Sequence, residues 1–76
     1  MDWIHIGGSL IKEVLYSDRA TSLYVKTYTN MERHYEKVPK NLYEEMISQP
    51  TGVEKENYFK EHIREDYISY AIEDLL

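Results

Sequence analysis

The chain has 76 residues, no cysteine and a net charge of −5, which excludes disulfides, thiolate chemistry and cysteine-held metal, and makes a long polyanion an unfavourable partner. So short a chain forms one domain whose core supplies roughly 3–5 kcal/mol of net stability, leaving self-association as the staple still open to it. Its longest apolar run is three residues, far below the roughly 20 of a membrane-spanning helix, and no stretch reads as a signal peptide; the expectation is a soluble, cytoplasmic protein that engages no membrane.

In chain order, the opening "WIHI" (3–6) alternates Trp3 and His5 with Ile4 and Ile6 before Gly7-Gly8, and reads as a short extra strand or an arm. "SLIKEVLY" (9–16), "SLYVKTYT" (22–29) and "RHYEKV" (33–38) are rich in β-branched and aromatic residues. Turn-forming "SDRATS" and "TNME" separate them, which predicts three antiparallel strands in two hairpins. Pro39 ends the third strand, because proline cannot donate to a ladder yet fits a first helical turn. "KNLYEEMISQ" (40–49) places Leu42, Tyr43, Met46 and Ile47 on one side of a helix that Pro50 closes, and "TGVEKEN" (51–57) reads as a polar loop. From Tyr58 onward, Phe59, Ile63, Tyr67 and Tyr70 recur at helical spacing. Ile68, Ala71, Ile72 and Leu75 form a second stripe, which serves either a homo-oligomer contact or, if the helix breaks near residues 66–67, an internal one. The fold expected is α+β: a small antiparallel sheet of three to four strands followed by two to three helices packed on one face.

One ordered series carries a family signature. It runs Ser9-x-Ile11-x-x-Val14-x-Tyr16, Leu23-x-Val25, Tyr35-x-x-Val38-Pro39-x-x-Leu42-Tyr43-x-x-Met46, Gly52, and Tyr58-Phe59-x-x-x-Ile63-Arg64-x-x-Tyr67. Over residues 9–67 the chain resembles the KTSC domain, a family named for the C-terminus of some lysyl-tRNA synthetases and found also as free-standing bacterial and phage proteins. The resemblance implies a small sheet followed by helices, and a role in binding RNA. Arg33-His34-Tyr35 stands where the family has Tyr-x-Tyr, and Lys60 replaces the asparagine that follows its Tyr-Phe. Residues 1–8 and 68–76 lie outside the pattern, as an N-terminal extension or strand and a helical tail.

The stretch from Leu23 to Val38 alternates rings and cations. With "TNME" as a four-residue loop, Tyr28 faces Arg33, Lys26 faces Tyr35 and Tyr24 faces Lys37, so that all six lie on one sheet face. Such a checkerboard stacks on bases and meets phosphates. The same pairs also serve as ordinary cross-strand packing, and both readings are open here. A slip of one residue would send Tyr35 to the apolar side.

Catalytic signals are weak. His5, His34 and His62 stand 28 or more residues apart, and no phosphate-loop or nucleophile-elbow motif occurs. His62 and Asp66 at i, i+4 read as a hydrogen-bonded pair on a solvated helix face, and "GGS" (7–9) as a plain turn. No enzyme activity, metal or cofactor is expected.

Charge is divided: residues 1–40 carry six Lys/Arg against five acids, whereas 41–76 carry three against nine. Two function classes follow. In the first, the chain is a non-enzymatic binding module whose sheet face of Tyr24, Lys26, Tyr28, Arg33, Tyr35 and Lys37 takes a nucleotide or short single-stranded RNA, as a nucleotide-sequestering homo-oligomer of phage type would. In the second, it is an acidic phage or mobile-element inhibitor whose helical half covers a basic host protein.

Overall fold

The computed structural model of the chain describes residues 3–64 and 69–71. Its strands are β1 (Ile4–His5), β2 (Ile11–Ser17), β3 (Ser22–Thr27), β4 (Glu32–Tyr35) and β5 (Ser69–Ala71), and helices α1 (Lys40–Ser48) and α2 (Gly52–His62) lie between β4 and β5. The strands pair in chain order, each antiparallel to the next. The expected α+β class holds, an antiparallel sheet followed by two helices, and "WIHI" supplies the short extra strand. No helix among the described residues is long and apolar enough to cross a membrane.

Alternation along the strands, with a register shift between Ile11 and Glu13 that brings Ile11 to the same side as Val14, sends Ile11, Val14, Tyr16, Leu23, Val25 and Tyr35 to one face, where they are buried against Val38, Met46, Phe59 and Ile63. Tyr16 earns its buried place by two contacts: its hydroxyl donates to the Val38 carbonyl at 2.7 Å, and its ring stacks on Tyr43 with centroids 4.8 Å apart.

The β3–β4 register corrects the expected checkerboard. Leu23 pairs with Tyr35, Tyr24 with His34, Val25 with Arg33 and Lys26 with Glu32. The loop is therefore Tyr28-Thr29-Asn30, not "TNME". The Thr27 and Asn30 amides donate to the Met31 and Thr27 carbonyls at 2.9 and 3.1 Å, and Asn30 takes the left-handed conformation at φ 64°, which asparagine tolerates. An odd shift from the expected pairing moves Arg33 and Tyr35 to the opposite face from Tyr24 and Lys26. Burial decides the matter: this register puts Tyr35 against Phe59, edge to face at 5.2 Å, whereas the expected one would have set His34 and Glu36 towards the core. The third strand is also shorter than the expected 33–38. After Tyr35 the chain bends through Lys37 at φ 57°, which leaves Glu36 and Lys37 exposed and returns Val38 to the core.

The predicted polar loop "TGVEKEN" is in fact the start of α2. Thr51 caps the helix, its hydroxyl accepting from the Glu54 amide at 3.1 Å and donating to the Glu54 carboxylate at 3.3 Å. Gly52 abuts the Ile6 and Gly7 carbonyls so closely that a Cβ has no room. The helix ends at His62 rather than running to the tail, and Ser69–Ala71 returns as β5 beside β4, with Ala71 opposite Arg33. The proposed helical stripe is thus corrected at Ala71, which is in a strand; Ile68, Ile72 and Leu75 lie outside the described residues.

A cationic cleft as candidate functional site

The six residues singled out from sequence are dispersed. On the sheet face away from the core, Tyr24 is half-buried and stacks on His34, with centroids 4.6 Å apart and planes at 13°. Lys26 sits on the same face with its Nζ 4.5 Å from the centre of the Trp3 ring, 3.7 Å from Glu13 and 3.4 Å from Glu32. Its charge is answered twice over. Tyr28 is exposed in the loop, and Lys37 is exposed beyond the end of β4. Arg33 and Tyr35 alone of the six reach the core-side face, where they meet α2.

There they help line a cleft of about 150 Å³. Its floor is apolar, made by Ile11, Val25, Tyr35 and Phe59, each no more than 4% exposed. Leu10 and Thr27 form one margin, and three cations, Arg33 from β4 together with Lys60 and Arg64 from α2 and its end, form the rest. Lys60 lies in the last turn of α2 and Arg64 just beyond its end, where the Arg64 amide donates to the Phe59 carbonyl at 2.9 Å. Among the described residues, neither Arg33 nor Arg64 has an acidic partner within 4.0 Å, whereas Lys60 Nζ lies 3.5 Å from Glu56.

Glu56 holds this corner together. It is 1% exposed, yet its carboxylate accepts from the Ser9 hydroxyl at 2.5 Å and from the Leu10 and Ile11 amides at 2.7 Å each. Burial alone would push such a carboxyl upwards; the bonds from Ser9, Ile11 and Leu10, with the Lys60 charge, outweigh it and hold the Glu56 pKa down to about 2. Gly8 is required beside it, because a Cβ there would stand 2.6 Å from Glu56 Oε2. Ser9 belongs to the sequence signature, whereas Glu56 falls in "TGVEKEN", whose polarity predicts a loop and not a buried helical carboxylate.

Sequence reasoning missed Lys60 and Arg64 as members of a site, although Lys60 stood out as a departure from the family's asparagine. His62 packs on Tyr58 with ring centroids 4.3 Å apart, and Asp66, its expected partner, lies outside the described residues. Among the described residues no group of three His, Cys, Asp or Glu side chains is placed to hold a metal ion.

A family model described as the KTSC domain matches residues 8–67. No curated protein matches the chain. Among solved structures, the chain is similar to the KTSC domain protein YPO2434 from Yersinia pestis, with a TM-score of 0.80 at 16% identity over 92% of this chain and 94% of that one. At that identity the likeness speaks for the fold.

Proposed function

We propose that this chain, which belongs to the KTSC domain family, is a non-enzymatic binding module that holds a phosphate-bearing ligand, a nucleotide or a short single-stranded RNA, in the cleft between β4 and α2. The observation that carries this reading is the gathering of three cations, Arg33 and Arg64 without an acidic partner within 4.0 Å among the described residues and Lys60 paired once, with Glu56, around an apolar, aromatic-lined hollow in a chain of net charge −5. Cations grouped against the overall charge focus a local positive potential, and guanidinium groups match phosphate oxygens in pairs. The outer sheet face offers rings as well, but its Lys26 is neutralised by Glu13 and Glu32. The core-side cleft therefore replaces the outer checkerboard as the favoured site, keeping Arg33 and Tyr35 and adding Lys60, Arg64 and Phe59. It is formed within one chain, so binding there has no need of an oligomer.

Calorimetric titration with uridine monophosphate and with a hexauridylate tests this reading. Binding that disappears in Arg33→Ala/Arg64→Ala, while circular dichroism stays unchanged, supports it; no binding at millimolar ligand, or binding indifferent to both arginines, overturns it.

The second reading, an acidic surface that covers a basic host protein, draws support from Glu44, Glu45, Glu54 and Glu61, all exposed on α1 and α2. Reversing those four charges would abolish partner capture and leave nucleotide binding intact, which separates the two readings.

A further inference from the structure

The cleft has a size and a stiffness as well as a charge. The cleft is open to solvent on one side, and its volume of about 150 Å³ is that of the apolar cavities that hold benzene, so its apolar floor seats one six-membered ring. The floor cannot deepen readily, since Val25, Tyr35 and Phe59 are each 4% exposed and the two rings are already locked edge to face. Nor can the Leu10–Ile11 wall retreat: both of its amides are bonded to the buried Glu56 carboxylate, and Gly8 lies against the same group. The cations stand at the margin, so a ring that enters leaves its phosphate outside, among them.

We propose that the cleft discriminates by ring size, favouring the single ring of a pyrimidine nucleotide over the fused rings of a purine, whose second ring has no place on the apolar floor. This rests on the cleft being a phosphate-ligand site, as proposed above. The excess of a purine over a pyrimidine is several ring atoms, and a pocket too small for that excess discriminates by about tenfold or more.

The test is a set of calorimetric titrations of the whole chain with uridine, cytidine, adenosine and guanosine monophosphates and with ribose 5-phosphate. Uridine and cytidine monophosphates are expected to bind at least about tenfold more tightly than the purine pair, with ribose 5-phosphate weaker than the pyrimidines. Val25→Ala, which deepens the floor, should narrow the gap by improving purine binding. Amide shifts on adding uridine monophosphate should centre on Val25, Tyr35 and Lys60, not on Tyr24. Equal or purine-favouring affinities overturn ring-size selection while leaving the phosphate site standing. A pyrimidine preference untouched by Val25→Ala, with shifts centred on Tyr24, overturns the placement of the ring. If none of the five ligands binds, the underlying reading falls as well. Should Val25→Ala fail to fold, the wild-type affinities and shifts still decide.

Discussion

Ser9 and Glu56 are 47 positions apart in sequence and joined by a 2.5 Å hydrogen bond. The contact ties the start of β2 to the middle of α2, and it sits in a small polar knot that also takes in the Leu10 and Ile11 amides. Because the carboxylate is buried, the knot is costly to open from either side: a donor left without its acceptor keeps its desolvation penalty. Glu56→Ala should therefore destabilise the domain by about 2–4 kcal/mol, and Ser9→Ala, which leaves the two amide bonds in place, by about 1 kcal/mol. For a domain of this size the first corresponds to a loss of roughly 10 °C or more in Tm, readable by thermal circular dichroism; equal effects of the two substitutions would argue that the amide bonds contribute nothing.

The same carboxylate makes stability depend on acid. Glu56 falls from its ordinary 4.5 to about 2 in the folded chain, so the folded state binds its proton more weakly than the unfolded one. The stabilisation is fully present above about 4.5 and is lost as pH falls from there towards 2. Its size is up to about 3 kcal/mol. Urea midpoints measured at pH 6, 4 and 2.5 should decline across that window. In Glu56→Gln, which cannot titrate, the midpoint should start lower and decline less steeply.

The register of β3 and β4 has its own signature in mutant stability. Tyr35 is 4% exposed and packs on Phe59, whereas Tyr24 is half-buried on the outer face against His34. Tyr35→Ala should cost about 3–5 kcal/mol, in the range of buried aromatic truncations, and Tyr24→Ala about 1 kcal/mol, the worth of a cross-strand pair. Chemical denaturation of the two variants distinguishes this register from one in which both tyrosines share a face and lose similar amounts.

That register also marks where the sequence ceased to be readable. Strands, hairpins and α1 were legible because β-branched runs, turn residues and Pro39 punctuate the chain on a scale of a few residues. The position of a loop within "TYTNME" was not, since one residue of difference inverts a face and the deciding term, burial of Tyr35 under Phe59, comes from a helix 24 residues away in sequence. The start of α2 was hidden differently. Glu56, Phe59 and Ile63 form its buried stripe, and a glutamate at the head of that stripe makes the helix look polar; the Thr51–Glu54 capping pair was the legible clue. Of the cleft, Arg33 and Tyr35 were picked out, though for the wrong face. Lys60 and Arg64 were not, because their convergence with Arg33 depends on how α2 crosses the sheet.

Salt dependence distinguishes the cations that meet a ligand from those that only pair internally. If Arg33, Lys60 and Arg64 all contact phosphates of a hexauridylate, the slope of log affinity against log salt should be near −2, at about −0.7 per neutralised phosphate of a single strand. Removing Arg33 should lower both the affinity and the magnitude of that slope by about 0.7. Lys26→Ala is the control: its ammonium is held between Glu13 and Glu32 on the other face, and its loss should leave slope and affinity unchanged while weakening the cross-strand row it belongs to. Fluorescence anisotropy of a labelled hexauridylate, titrated from about 50 to 200 mM salt, measures all three. A slope that falls equally on removing Lys26 and Arg33 would put the ligand on the outer face, and one that falls for neither would remove direct phosphate contact by Arg33 from the mechanism.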